Sequence, residues 1–134
     1  MRKKIAAFSL LEMLIVLTIL GILCAATYPS YSNHLLQQKR FIAKATLFKL
    51  ATALENYFNI HDSYQNANLE NLGFQAEIAD NSYVLRIQTL SATQFVIAAV
   101  PTHPEKSDTV CGTFLLNSLG EKKITGTGSR HECW

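Results

Sequence analysis

FSLLEMLIVLTILGILCAA, residues 8–26, decides how the rest of the chain is read. It is apolar for long enough to make a membrane-spanning helix, and Arg2, Lys3 and Lys4 stand just ahead of it. An apolar span with a basic flank predicts a helix whose N-terminus stays on the cytoplasmic side. One charge interrupts the run, Glu12. A carboxylate in hydrocarbon costs roughly 2.5–3.5 kcal/mol even on lenient insertion scales, so Glu12 needs a partner or a wet position.

Three readings of this stretch compete. One is a secretory signal cut after Cys24-Ala25-Ala26, releasing a chain that starts near Thr27; the length of the run and Glu12 speak against it. Another is a plain membrane anchor with Glu12 at the cytoplasmic interface. The third comes from resemblance: Ala7-Phe8-Ser9-Leu10-Leu11-Glu12, with Lys3 and Lys4 before it and an apolar helix after it, resembles the prepilin signal of type IV pilins. The resemblance implies a leader of residues 1–7, cleavage by a prepilin peptidase between Ala7 and Phe8, and N-methylation of Phe8. It also implies that Glu12 of one subunit pairs with the N-terminal amine of a neighbour during assembly. Gly is usual before the cut in that family, and Ala7 stands there in this chain. Two unit charges about 4 Å apart gain on the order of 4 kcal/mol at an effective dielectric near 20, enough to offset the burial of Glu12.

Composition agrees with one small domain plus an anchor: 134 residues, 16% charged, formal net charge +2. Without Arg2, Lys3 and Lys4 the chain has nine basic and ten acidic side chains, a net of −1. That argues against a generally basic nucleic-acid binder.

Residues 27–34, TYPSYSNH, interrupt the apolar run. Pro29 predicts a kink or local opening, and Gly21 a second weak point. Pilins carry Gly and Pro at such places, which implies a segment able to loosen in a fibre and extend under load. From Leu35 to about Ile60 the pattern is amphipathic: Leu35, Ile42, Ala45, Phe48, Leu54 and Phe58 recur at helical intervals. One helix from about Ser9 to Ile60, about 80 Å long, is expected. Its membrane and assembly half is residues 8–34, and residues 35–134 form the head. Lys39, Arg40 and Lys44 read as a solvated face, with anionic lipid or an acidic neighbour as the other option.

Residues 61–81 are polar and Asn-rich, a long connection with a helical turn expected at Leu69–Leu72. The period then changes to two: Tyr83, Leu85, Ile87 and Thr89, then Phe95, Ile97 and Ala99 up to Pro101. Thr113–Asn117 and Lys122–Ile124 flank Ser118-Leu119-Gly120-Glu121, a hairpin signal. The expected class is α+β, a long N-terminal helix packed on a three- to four-stranded antiparallel sheet, the pilin fold.

Three cysteines permit three pairings. Cys24 belongs to the membrane stretch and reads as a small apolar residue, while Cys111 and Cys133 lie on the oxidising side and are expected to pair. This matches the C-terminal disulfide region of pilins. Ala99-Val100-Pro101, Asp108, Cys111-Gly112, Leu119-Gly120 and Cys133-Trp134 follow in the order seen in principal and small minor pilins of Gram-negative bacteria.

The four histidines are scattered, and no phosphate loop or nucleophile motif is present. No catalytic residue, cofactor or metal is therefore expected. Glu105, Asp108, Glu121 and Glu132 read as solvated loop charges, with a calcium loop of the pseudopilin kind as the weaker option. Some minor pilins of similar layout bind DNA through a basic strip near the disulfide loop; Lys122, Lys123, Arg130 and His131 are the corresponding residues. The resemblance thus implies a structural subunit of a type IV pilus, used in adhesion, twitching or DNA uptake. Its partners would be other pilin subunits in a homo- or hetero-polymer, prepilin peptidase, the inner-membrane assembly machinery, lipid before assembly, and DNA. The chain would sit as a single pass in the inner membrane before assembly and in the cell-surface pilus afterwards. The alternatives are a minor pilin that receives DNA and a pseudopilin of type II secretion.

Overall fold

In a computed structural model, residues 8–103 and 108–134 are described. Arg2, Lys3, Lys4, Ala7 and Glu105 lie outside them. Contacts within the chain group into two units, Met1–Leu35 and Leu36–Trp134.

Helix α1 spans Leu10–His61, 52 residues. Ser9 opens it, its hydroxyl accepting a hydrogen bond from the Leu11 N–H and its carbonyl one from the Met13 N–H. Over residues 8–23 of the first unit the large apolar side chains are exposed, from Leu10 at 83% to Val16 at 44%. The two threonine hydroxyls of this unit turn back onto the helix: Thr18 donates to the Leu14 carbonyl, and Thr27 to those of Leu23 and Cys24. Such back-bonding leaves neither threonine needing water, which suits a hydrocarbon setting. Helix α1 is assigned continuously through Gly21 and Pro29.

The head is built on a five-stranded antiparallel sheet, a meander in the order β1 (Glu77–Ile78), β2 (Tyr83–Leu90), β3 (Phe95–Pro101), β4 (Phe114–Asn117), β5 (Lys122–Ile124). The extra strand is β1, two residues inside the expected connection. Between β1 and β2, Ala79, Asp80 and Asn81 all take left-handed φ values of 54–58°. Thr102 steadies this turn, its N–H donating to the Ser82 carbonyl and its hydroxyl to that of Asn81. The expected turn at Leu69–Leu72 is present: the Leu72 N–H donates to the Asn68 carbonyl, and Gly73 (φ 75°) closes it as the Phe74 N–H reaches the Leu69 carbonyl.

The register places Leu85, Ala99, Phe114 and Ile124 in one row across the sheet, and Ile87, Ile97, Leu116 and Lys122 in the next. These rows face α1 and are buried or half-buried. The helix covers them with Ala43, Leu47, Leu50 and Leu54, each fully buried. This differs from the expected stripe. Leu54 is in the core and Phe58 packs against it, but Leu35, Ile42 and Phe48 remain 38–44% exposed. The second half of α1 is apolar on more than one face, so periodicity alone cannot choose which face meets the sheet.

Candidate functional site

The head closes around its C-terminal tail. Helix α2 (Arg130–Cys133) is one turn, capped by Ser129, whose hydroxyl accepts from the Glu132 N–H. Cys133 is bonded to Cys111, 22 residues earlier, and both are buried. Between them the tail lies against residues 109–111: Gly126 donates to the Cys111 carbonyl, Thr127 to Thr109 and Gly128 to Val110. Cys24 is a free cysteine, exposed on α1.

Asp108 is not the solvated charge expected from its sequence setting. It is 2% exposed and accepts two hydrogen bonds from Arg40, at 2.6 and 2.7 Å, one from the Tyr83 hydroxyl at 3.1 Å and one from the Cys111 N–H at 2.9 Å. Burial pushes its carboxyl upward, but the hydrogen bonds from Arg40, Cys111 and Tyr83 outweigh it and hold Asp108 below the usual carboxylate range. The same bond raises the Arg40 guanidinium, while burial beside the carboxylate raises the Tyr83 phenol. Lys44 is likewise no free surface charge, since its ammonium donates to the Cys133 carbonyl at 2.8 Å. Burial lowers it, with Arg40 and Lys122 pushing the same way. The basic face of α1 thus serves as a fastening for the disulfide region. Of the other carboxylates, Glu121 and Glu132 are exposed, and Glu121 accepts from the Asn117 amide.

Strand alternation divides the expected basic strip. The Lys122 side chain turns to the helix side, its Nζ 5.1 Å from the Phe48 ring centre and 5.6 Å from that of Trp134. Trp134 in turn packs edge-on against Phe48 and Phe114, and its indole N–H donates to the Lys123 carbonyl. Lys122, Arg130, His131, Trp134 and Gly120 line an open cleft of about 560 Å³. Lys123 faces the other side of the sheet, in the row of Leu115, Ala98 and Arg86, where it lines a separate shallow groove with Gln88 and Val96. Two of the three expected lysine and arginine contacts therefore converge, joined by His131 and by an aromatic wall. Among the described residues no three His, Cys, Asp or Glu side chains gather as metal ligands.

A helix with an exposed apolar first half, a second half laid on an antiparallel meander, and a tail closed by a disulfide are the parts of a type IV pilin. Comparison with known proteins agrees. Residues 2–28 match the family model of the prokaryotic N-terminal methylation motif. Residues 29–115, more than half of the chain, match that of type IV minor pilin ComP, DNA uptake sequence receptor, and the chain belongs to this family. It is 35% identical over 80 residues to the type IV major pilin protein PilA of Myxococcus xanthus strain DK1622, covering 60% of this chain. The chain spans only 36% of that relative's length. In fold it is similar to the non-core minor pilin PilV of Neisseria meningitidis, with a TM-score of 0.50 at 16% identity over 72% of this chain and 94% of the other.

Proposed function

We propose that this type IV pilin is made as a precursor, cut by prepilin peptidase between Ala7 and Phe8, and methylated on the new terminus. Residues 8–34 hold it in the inner membrane, N-terminus cytoplasmic, until assembly machinery moves it into a surface fibre of like or mixed subunits. Its role is structural rather than catalytic. The observation that carries the reading is the exposed apolar first half of α1, broken by the single carboxylate of Glu12, in a chain that matches the methylation motif. Pairing of Glu12 with the amine of a neighbouring Phe8 would remove the one charge that a packed bundle of such helices cannot bury alone. Intact-mass measurement of the subunit in sheared fibres tests this: the expected chain starts at methylated Phe8, and a chain starting at Thr27 would overturn it. Glu12→Gln should sharply reduce entry into fibres without lowering the amount of chain in the membrane.

The family match supports a second role on the same subunit, reception of duplex DNA by the head. Lys122 and Arg130 supply cationic donors for phosphate, and His131 and Trp134 complete the cleft wall. Such contacts make affinity fall with salt, with a log–log slope of about −0.9 for each phosphate neutralised. Anisotropy of a labelled duplex with the full chain in non-ionic detergent reads that slope. Arg130→Gln should reduce it by about one unit, whereas Lys123→Gln, on the opposite sheet face, should leave it unchanged. Absence of binding at low salt would remove this role.

A further inference from the structure

The β4–β5 hairpin carries an apolar side chain that the core does not use. Leu119 is 77% exposed, and C-terminal to α1 it is the one large hydrophobic side chain left exposed among the described residues. Its backbone is held tightly. Asn117 Oδ1 accepts from the Leu119 N–H at 3.1 Å and from the Glu121 N–H at 2.8 Å. The Gly120 N–H donates to the Asn117 carbonyl at 3.0 Å, and the Asn117 amide donates to Glu121 Oε2 at 2.7 Å. Gly120, at φ 76°, closes the turn and also forms part of the wall of the cleft lined by Lys122, Arg130, His131 and Trp134. A rigid tip bearing one leucine therefore stands at the rim of a cationic cleft.

We propose that Leu119 is the specificity-determining residue of the head toward duplex DNA, inserting against base edges while Lys122 and Arg130 hold the backbone; this rests on the DNA-reception reading. Phosphate contacts set register and carry no sequence information, so a head with cations alone would hold any duplex alike. Discrimination needs a group that reaches the bases. Leucine does so by packing on a thymine methyl in the major groove or by wedging into a base step. The fixed turn means that little ordering is lost on insertion. Glu121, exposed on the far side of the tip, disfavours phosphate there and directs the backbone to the Lys122–Arg130 side, while Glu132 on α2 limits how far along the tail the backbone runs.

The test uses the full chain in non-ionic detergent. A randomised duplex pool yields a preferred duplex, and a scrambled duplex of equal composition serves as reference. Leu119→Ala is expected to lower the preferred-to-scrambled affinity ratio by about tenfold while leaving scrambled-duplex affinity within about twofold. The salt slope should stay the same, and near-ultraviolet circular dichroism should confirm an unchanged head. An unchanged ratio, or equal weakening toward both duplexes, would overturn the assignment. So would loss of fibre entry with DNA preference intact, which would make Leu119 a contact between subunits. A parent chain that binds duplexes without any preference sinks this inference alone; one that binds no duplex sinks the DNA reading with it.

Discussion

Arg40 and Asp108, 68 residues apart, meet in a two-pronged ion pair at 2.6 and 2.7 Å that joins the second half of α1 to the segment before Cys111. The aspartate side chain is fully buried and the arginine side chain 15% exposed, so the carboxylate has no water to fall back on if the guanidinium is removed. Arg40→Met should therefore cost about 3 kcal/mol in chemical denaturation. Asp108→Asn should cost less, because the amide oxygen can still accept from the Cys111 N–H. The double variant should be more stable than the sum of the two losses implies, since the orphaned carboxylate is gone. Additive losses would mean that the pair is not coupled.

Acid should act through the same residue. The folded-state carboxyl of Asp108 is held below its ordinary value, so the unfolded chain binds this proton first as pH falls. The stabilisation is complete above the unfolded carboxyl pKa, about 3.9, and is lost as pH falls through the lower folded value. Denaturation midpoints measured from pH 6 down to pH 2 should fall steeply below about pH 4 in the parent. In Asp108→Asn the curve should start lower and be flatter. A parallel pair of curves would contradict the assignment.

At the alkaline end the sign reverses. Burial and the hydrogen bond to Glu55 push the Tyr64 phenol up to about 12. Its contribution is present below the ordinary tyrosine pKa near 10 and is lost as pH rises through the raised value. Ultraviolet titration should show two phenols of the parent ionising late, Tyr64 and Tyr83, and only one of them in Tyr64→Phe.

The strands at 83–89 and 95–101 were legible because alternation follows burial over most of their length; it fails at Thr89, which is exposed where the register shifts after Ile87. β1 was not, since two residues have no period. The helix face was ambiguous for a physical reason: Ile42 and Phe48 are as apolar as Leu47 and Leu50, and only the sheet decides which pair is covered. The separation of Lys123 from Lys122 was readable in principle, because neighbours in a strand point to opposite faces. The partnership of Arg40 with Asp108 was not, being a contact across 68 positions. Its local trace is Asp108 accepting from the N–H three residues on, a turn habit of aspartate.

The disulfide should matter beyond its own loop. Cross-linking 22 positions apart removes unfolded-state freedom worth about 3 kcal/mol on the chain-entropy model. Its partner Cys133 also presents the carbonyl that Lys44 holds, and Trp134 follows it onto Phe48 and Phe114. Replacing both cysteines with alanine should lower stability by at least about that amount. It should also release the tryptophan, seen as a red shift of its fluorescence under conditions where the sheet is still folded. Stability loss without that shift would confine the bond's role to the unfolded chain.

Two glycines separate backbone shape from close approach. Gly120 needs a left-handed φ of 76° and has open space around it, so alanine there should cost about 1 kcal/mol. Gly126 has no such dihedral demand, but a Cβ would collide with the Val110 carbonyl, where the tail runs against residues 109–111. That neighbour is backbone, fixed by Gly128 donating to the same carbonyl and by the Cys111–Cys133 bond one residue on. Gly126→Ala must therefore push the tail away, at a cost of about 2–3 kcal/mol in the range of an overpacked core. The displacement should appear as faster amide exchange at Gly128 and Thr127, whose hydrogen bonds depend on it, while exchange across β2 and β3 stays as in the parent. Equal costs for the two alanine variants, or unchanged exchange in the tail, would show that the strand of tail residues is free to move aside.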